Sequence, residues 1–159
     1  MPKIKLTLSE SGIEKAIKEL KEYRDKVEKA DEKLVHNLTE QGVSLAQQNA
    51  AYMNIYDSGE LVNGIDSRYE GKKGFVVSNA KHSAFCEFGT GVVGKNDPHP
   101  EPIPGWQYDV NEHGEAGWWY YNDAGEKRWT KGMPSRPYMY DTARMIRNMV
   151  EEAAKEVLK

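Results

Sequence analysis

Residues 87–105 read EFGTGVVGKNDPHPEPIPG, and the fold class turns on the kind of element into which their glycines lead. Gly89-Thr90-Gly91-Val92-Val93-Gly94 fits G-x-G-x-x-G, the pattern of a dinucleotide-binding turn. That pattern has a mechanism only where the glycines close a strand and open a helix, because the pyrophosphate rests on the free N–H groups of that helix. Here Pro98, Pro100, Pro102 and Pro104 come at every second position. Each removes a backbone donor and pushes its predecessor out of the α region. The expectation is that no helix comes next and that no cofactor is bound, so the glycines need another explanation.

The rest of the chain sets the limits. At 159 residues it is long enough for one self-supporting domain and too short for two. With 30% charged residues and a net charge of −3, it gives no global electrostatic reason to bind nucleic acid or anionic lipid. Cys86 is the only cysteine, which excludes an intramolecular disulfide and suits a reducing compartment. No run of ~18 apolar residues and no secretory leader is recognisable, so neither a membrane partner nor export is expected.

Outward from residues 87–105, periodicity gives the elements. Lys3 to Leu8 alternate around Ile4, Leu6 and Leu8, the period of a half-buried strand. Ser11 and Glu14 form a capping box. Behind it Ile13, Ala16, Leu20, Tyr23, Val27, Ala30 and Leu34 lay a narrow apolar stripe along a helix predicted to reach about Tyr52, with a phase shift near Gln41-Gly42. Such a helix is roughly 60 Å long, so part of it projects or meets another chain. Ile55 to Leu61 carries a turn signal, with Asp57 or Ser58 suited to cap a short helix over 59–65. Strands are predicted at 67–69 and 74–79, joined by residues 70–73, and again at 82–88. The interval 89–132 holds all four tryptophans and is predicted as an excursion of one or two β-ribbons, with Trp118-Trp119-Tyr120-Tyr121 and residues 126–130 flanking a turn. A last helix comes after Pro137, with Met139, Ala143, Ile146, Val150, Ala153 and Val157 as its apolar stripe.

Little of this points to catalysis. On a strand, His82 and Cys86 would lie ~13 Å apart and could not act as base and thiol nucleophile, so Cys86 reads as a small buried hydrophobe. Glu87 has the chemistry of a general base but no partner at a defined spacing, and pairing with or capping a neighbour explains it as well. His99 and His113, with Asp97, Glu101 and Glu112, lack zinc-type spacing and read as solvated loop residues. The aromatic segment is different, because clustered tryptophan and tyrosine mark contact sites. Residues 117–125 are similar to one repeat of a choline-binding module, so a carbohydrate- or choline-binding module using the aromatic hairpin is the alternative. Such repeats bury themselves only in arrays.

In order along the chain, the motifs resemble the tail-component family of long-tailed double-stranded DNA phages, the tail-completion or head-to-tail joining proteins. The family's Pro-x-Asp-Thr-Gly-x-Leu turn is met by residues 55–61, with Asp57, Gly59 and Leu61 in place and the proline missing. Its aromatic-Ala-x-x-x-Glu-Phe-Gly-Thr signature is met by residues 82–91, with Glu87, Phe88, Gly89, Thr90 and Gly91 the most specific part and His82 where an aromatic is usual. A final Pro-Phe-hydrophobic block is matched by Pro137 and Tyr138. The resemblance runs over nearly the whole chain. It implies an α+β fold, with a long N-terminal and a C-terminal helix packed on an antiparallel β-sheet as a single domain over 1–159. It further implies no catalysis, assembly into a homo-oligomeric ring, hexameric by the family's example, with other head-completion and tail-tube proteins as neighbours, and proximity to DNA in the channel. The glycines would then turn the chain out of the sheet, and the aromatic residues Trp106, Trp118, Trp119, Tyr120, Tyr121 and Trp129 would meet a neighbouring subunit.

Overall fold

The computed structural model describes residues 7–55, 59–122 and 124–158. Apolar spacings of three and four carry the chain into one uninterrupted helix, α1 (Glu10–Tyr52), 43 residues and ~65 Å long. Its cap is Ser9 rather than the Ser11–Glu14 box. Ser9 is extended, as a capping residue must be, and its Oγ accepts the Gly12 N–H at 3.2 Å, whereas Ser11 already lies inside the helix. Nor does the helix break at Gly42, the point of the phase shift. A Cβ there would lie 2.6 Å from Val76, so the missing side chain lets a strand pack against the helix.

After α1 come α2 (Glu60–Asn63), β1 (Ile65–Glu70), β2 (Lys73–Ser78), α3 (Ser83–Phe88), α4 (Gly91–Asn96), a 3₁₀ turn (Gly114–Ala116), β3 (Trp118–Tyr121), β4 (Lys127–Thr130), β5 (Gly132–Met133) and α5 (Tyr138–Leu158). The fold is α+β, with two separate antiparallel hairpins, β1–β2 and β3–β4, in place of one sheet. α5 runs antiparallel along α1. Asn49 Nδ2 donates to Thr142 Oγ1 at 2.9 Å near one end, and Ala154 and Val157 share a crevice with Val27, Ala30 and Leu34 near the other. The core gathers where the last turns of α1 meet everything else, in Ala46, Ala50, Ile55, Leu61, Ile65, Ala80, Cys86 and Tyr138. Leu61 and Tyr138 are each 1% exposed. Past the end of α5 the first turns of α1 project, and Ile13, Ile17 and Leu20 stay about half exposed.

Several expectations are corrected. Residues 83–88 are helical, not a strand, because their buried positions, Cys86 and Glu87, are adjacent instead of alternating. A helix does come after the glycines, since α4 fits between Gly91 and Asn96 and stops before the first of the prolines. The β1–β2 loop is two residues, Gly71-Lys72; the first strand is longer than expected at both ends and the second begins and ends one residue earlier. α2 begins at Glu60 after a left-handed Gly59, while Asp57 and Ser58 lie outside the described residues. So do residues 3–6 of the expected first strand; Thr7 and Leu8 lead into α1 without strand structure. The stripe on α5 is rotated. Tyr138 and Thr142 are buried while Ala143 and Val150 are exposed, because Thr142 satisfies its hydroxyl by donating to Tyr138 O at 2.7 Å and accepting from Asn49.

The expected excursion leaves and re-enters the body at one narrow neck. Thr90 pairs with Met133 and Gly91 with Gly132 as isolated antiparallel bridges. Gly91 holds φ +61, and a Cβ on it would collide with the Lys131 carbonyl; one on Gly94 would lie 2.9 Å from Met133 O. The glycines of residues 89–94 therefore let two backbones close on each other, and no ligand is needed to explain them.

Gly91→Ala should lower stability by about 2 kcal/mol or more, a melting-temperature drop of roughly 4–8 °C, because strain and collision add. Gly71→Ala, with φ +58 but open space around it, should cost about 1 kcal/mol. Equal losses in thermal unfolding would remove the close-approach account.

Candidate functional site

The best-built constellation surrounds Glu87. α3 delivers this carboxylate into the interior beside the start of α5, where the first backbone N–H groups have no helical partner. Oε2 accepts the Met139 N–H and Oε1 the Tyr140 N–H, both at 2.9 Å. Glu87 is thus a cap for α5 supplied from another element, with its charge at the positive end of the helix dipole. His99 Nε2 lies 3.1 Å from Oε1, and the Glu101 N–H donates to His99 Nδ1 at 3.0 Å. His99 Nδ1 also lies 2.6 Å from Glu101 O, so the backbone of residue 101 and the Glu87 carboxylate hold the ring from its two sides. The ring sits 4.7 Å from Phe88 and 5.2 Å from Tyr140.

The other signature residues serve the same clasp. Phe88 also packs on Trp106, ring centroids 5.1 Å apart, and Trp106 Nε1 donates to Gly89 O at 3.2 Å. Thr90 Oγ1 accepts the Met133 N–H at 3.2 Å, and Gly91 N–H donates to Tyr108 O at 2.6 Å. Ser135 Oγ donates to Glu87 O at 2.6 Å and Arg136 N–H to Cys86 O at 2.8 Å, which ties the start of α5 to α3. Pro137 supplies the carbonyl that accepts the Asp141 N–H, and Tyr138 plugs the core below it. Of the expected motif residues, Gly59 and Leu61 belong to α2 and its entry, Asp57 is outside the described residues, and the others converge on this clasp.

Chemically the clasp is closed. Both Glu87 oxygens are committed to α5 and His99, so neither is offered to a substrate. His82 and Cys86 stand one helical turn apart, which replaces the ~13 Å strand geometry, and Cys86 is a core residue whose thiol burial pushes above its usual pKa. His99 is buried, not solvated as the sequence suggests. The visible signal was its place between Pro98 and Pro100, which fix the backbone on either side of a single side chain. His113 pairs with Asp109 and stacks on Trp118 at 4.7 Å. The Asp109 carboxyl is held below its ordinary range by the His113 and Gly114 backbone N–H groups. Among the described residues no three of His, Cys, Asp and Glu form a group that could hold a metal.

The aromatic residues divide. Trp106 and Trp118 are half-buried against the body, whereas Trp119, Tyr120, Tyr121 and Trp129 are exposed, Trp119 by 56% and Tyr121 by 71%. The β3–β4 register pairs Trp119 with Trp129, and their rings meet edge to face at 5.3 Å. Lys127 Nζ lies 5.1 Å over Trp119, so one face of that indole already holds a cation of the chain's own. The hairpin carries three polar residues about its turn, where Glu126 accepts from Asn122 and Arg128.

Residues 14–89, just under half of the chain, match the family described as "Bacteriophage HK97-gp10, putative tail-component". The matched part runs from the first turns of α1 through β1–β2 and α3 to Gly89, and it stops before the excursion and α5. No curated protein and no solved structure matches the chain. The match is consistent with a tail-component family of siphophages, hence with a phage tail-related structural protein located in the virion; it gives no support to a carbohydrate- or choline-binding module. No helix among the described residues is long and apolar enough to cross a membrane.

Glu87→Gln should destabilise the fold by about 2 kcal/mol, through loss of charge at the α5 terminus and at His99, and Glu87→Ala by about 3–4 kcal/mol. Urea unfolding measures both, and a loss within about 0.5 kcal/mol of zero for Glu87→Ala would show that the cap carries no weight. Iodoacetamide should leave Cys86 unmodified in the native protein and alkylate it readily in denaturant. Fast native alkylation would reopen the nucleophile reading.

Proposed function

Starting from the match of residues 14–89 to a phage tail-component family, we propose that this chain is a non-enzymatic structural protein of a phage or prophage that completes the tail at the head–tail junction by closing with further copies of itself into a ring, six-membered as in the family it resembles. Its neighbours in that place are head-completion and tail-tube proteins, with DNA passing close by and no membrane involved. The observation that carries the reading beyond the family match is the exposed aromatic hairpin. Trp119, Tyr121 and Trp129 form a preordered apolar surface on one face of the hairpin, with Tyr120 exposed on the other, and folding alone gives no reason to keep them uncovered. A ring needs two different complementary patches on each subunit, and the hairpin supplies one of them.

Light scattering coupled to size exclusion over a wide concentration range should give a closed multimer near six copies. Trp119→Ala combined with Trp129→Ala should yield folded protein whose assembly is weakened by about 2 kcal/mol or more per contact. Full assembly with both tryptophans changed would remove the hairpin from the interface, and a strict monomer at all concentrations would leave self-assembly to require a template.

A further inference from the structure

The second patch has a structural candidate. In the β1–β2 hairpin, the two-residue loop and the Asn79 N–H to Gly64 O bond fix the ladder, so that Gly74 and Val76 turn their backbone N–H and C=O groups away from β1. Among the described residues these groups have no hydrogen-bond partner. This free edge opens into an apolar groove of about 470 Å³, walled by Val35 and Leu38 of α1, by Phe75 and Val76 of β2, and by Ala143 and Ile146 of α5. An unpaired strand edge beside an apolar trough fits an extended segment whose alternate side chains are apolar, because the edge supplies backbone hydrogen bonds and the trough takes every second side chain.

The chain contains such a segment. Lys3-Ile4-Lys5-Leu6 alternates charged with aliphatic residues, and Leu8 just after it is 90% exposed. It cannot fill its own groove. The wall of the groove on α1 begins at Val35, 25 residues and therefore ~38 Å along the helix from Glu10. Leu6 and Ile4 can stand at most about 14 Å and 21 Å from Glu10 even when fully extended. We propose that residues 3–6 of one copy add as a strand to the β2 edge of a second copy, with Ile4 and Leu6 in its groove and the two lysines directed outward. This inference rests on the self-assembly reading and names a second contact for it. In the ring reading each copy gives its segment to one neighbour and takes a segment from the other, so the exchange propagates from copy to copy until a ring closes.

The test mixes two full-length single variants of different mass, Leu6→Cys and Ala143→Cys, under mild oxidation. Buried Cys86 does not compete for the new thiols. The mixed disulfide should exceed that of Leu6→Cys with a surface control, Glu152→Cys, by roughly tenfold, because docking raises the local thiol concentration. Separately, a labelled peptide of residues 2–9 should bind the wild-type chain saturably and lose at least roughly tenfold in affinity to the groove-filling Ala143→Trp variant. Equal adduct with the control, or peptide binding indifferent to Ala143→Trp, would overturn the proposal, as would an intramolecular disulfide in the doubly substituted chain. Assembly that persists without the adduct would sink the strand exchange while leaving the aromatic-hairpin reading standing. Full assembly in Trp119→Ala/Trp129→Ala with the adduct still formed would do the reverse.

Discussion

The carboxylate of Glu87 is the contact on which the arrangement of the molecule depends. It belongs to a six-residue helix that could not persist alone, and it holds the first turn of the 21-residue helix α5 by two backbone N–H groups. α5 in turn lies along α1 and closes the core with Tyr138. His99 approaches the same carboxylate from the excursion and lays its ring against Tyr140, so the excursion is fastened to the start of α5 there. Burying a carboxylate is costly in itself. Two N–H donors, an imidazole and the end of a helix dipole offset that cost, and removing any of them takes away part of the offset.

A signature that looks like a binding loop is thus accounted for by contacts within the fold. Phe88 holds Trp106 and His99, Thr90 takes the Met133 N–H, and Gly91 and Gly94 admit the returning backbone. Each residue type is set by a contact inside the chain. The side chains and backbone groups that folding has not used up lie elsewhere, on the aromatic hairpin and along the open side of β2.

Long-period signals were legible in the sequence and short ones were not. The stripe of Ile13 through Leu34 announced α1, and Trp118 to Thr130 announced the hairpin that the structure forms as β3 and β4. Residues 83–88 misled because Phe85, Cys86 and Phe88 in a six-residue run satisfy a strand or a helix pattern equally, and the environment of Glu87 decided between them. The prolines were given too long a reach, since α4 needs only six residues before them. The partnership of Glu87 with His99 and α5 was out of sight. It joins residues 12 and more than 50 positions apart, and no local rule carries that information.

The neck between residues 89–94 and 131–135 also separates the stability of the body from the length of the loop beyond it. Its two strands are bridged at Thr90–Met133 and Gly91–Gly132, so the ends of the intervening loop sit one strand spacing apart whatever the loop contains. The entropy of closing a loop grows only with the logarithm of its length, about 0.6 kcal/mol for each doubling. The hairpin at its tip can therefore be extended, trimmed or replaced over many generations of mutation with α1, α5 and the Glu87 clasp left intact. A chain built this way can adjust its reach to a changing neighbour without having to evolve a new fold.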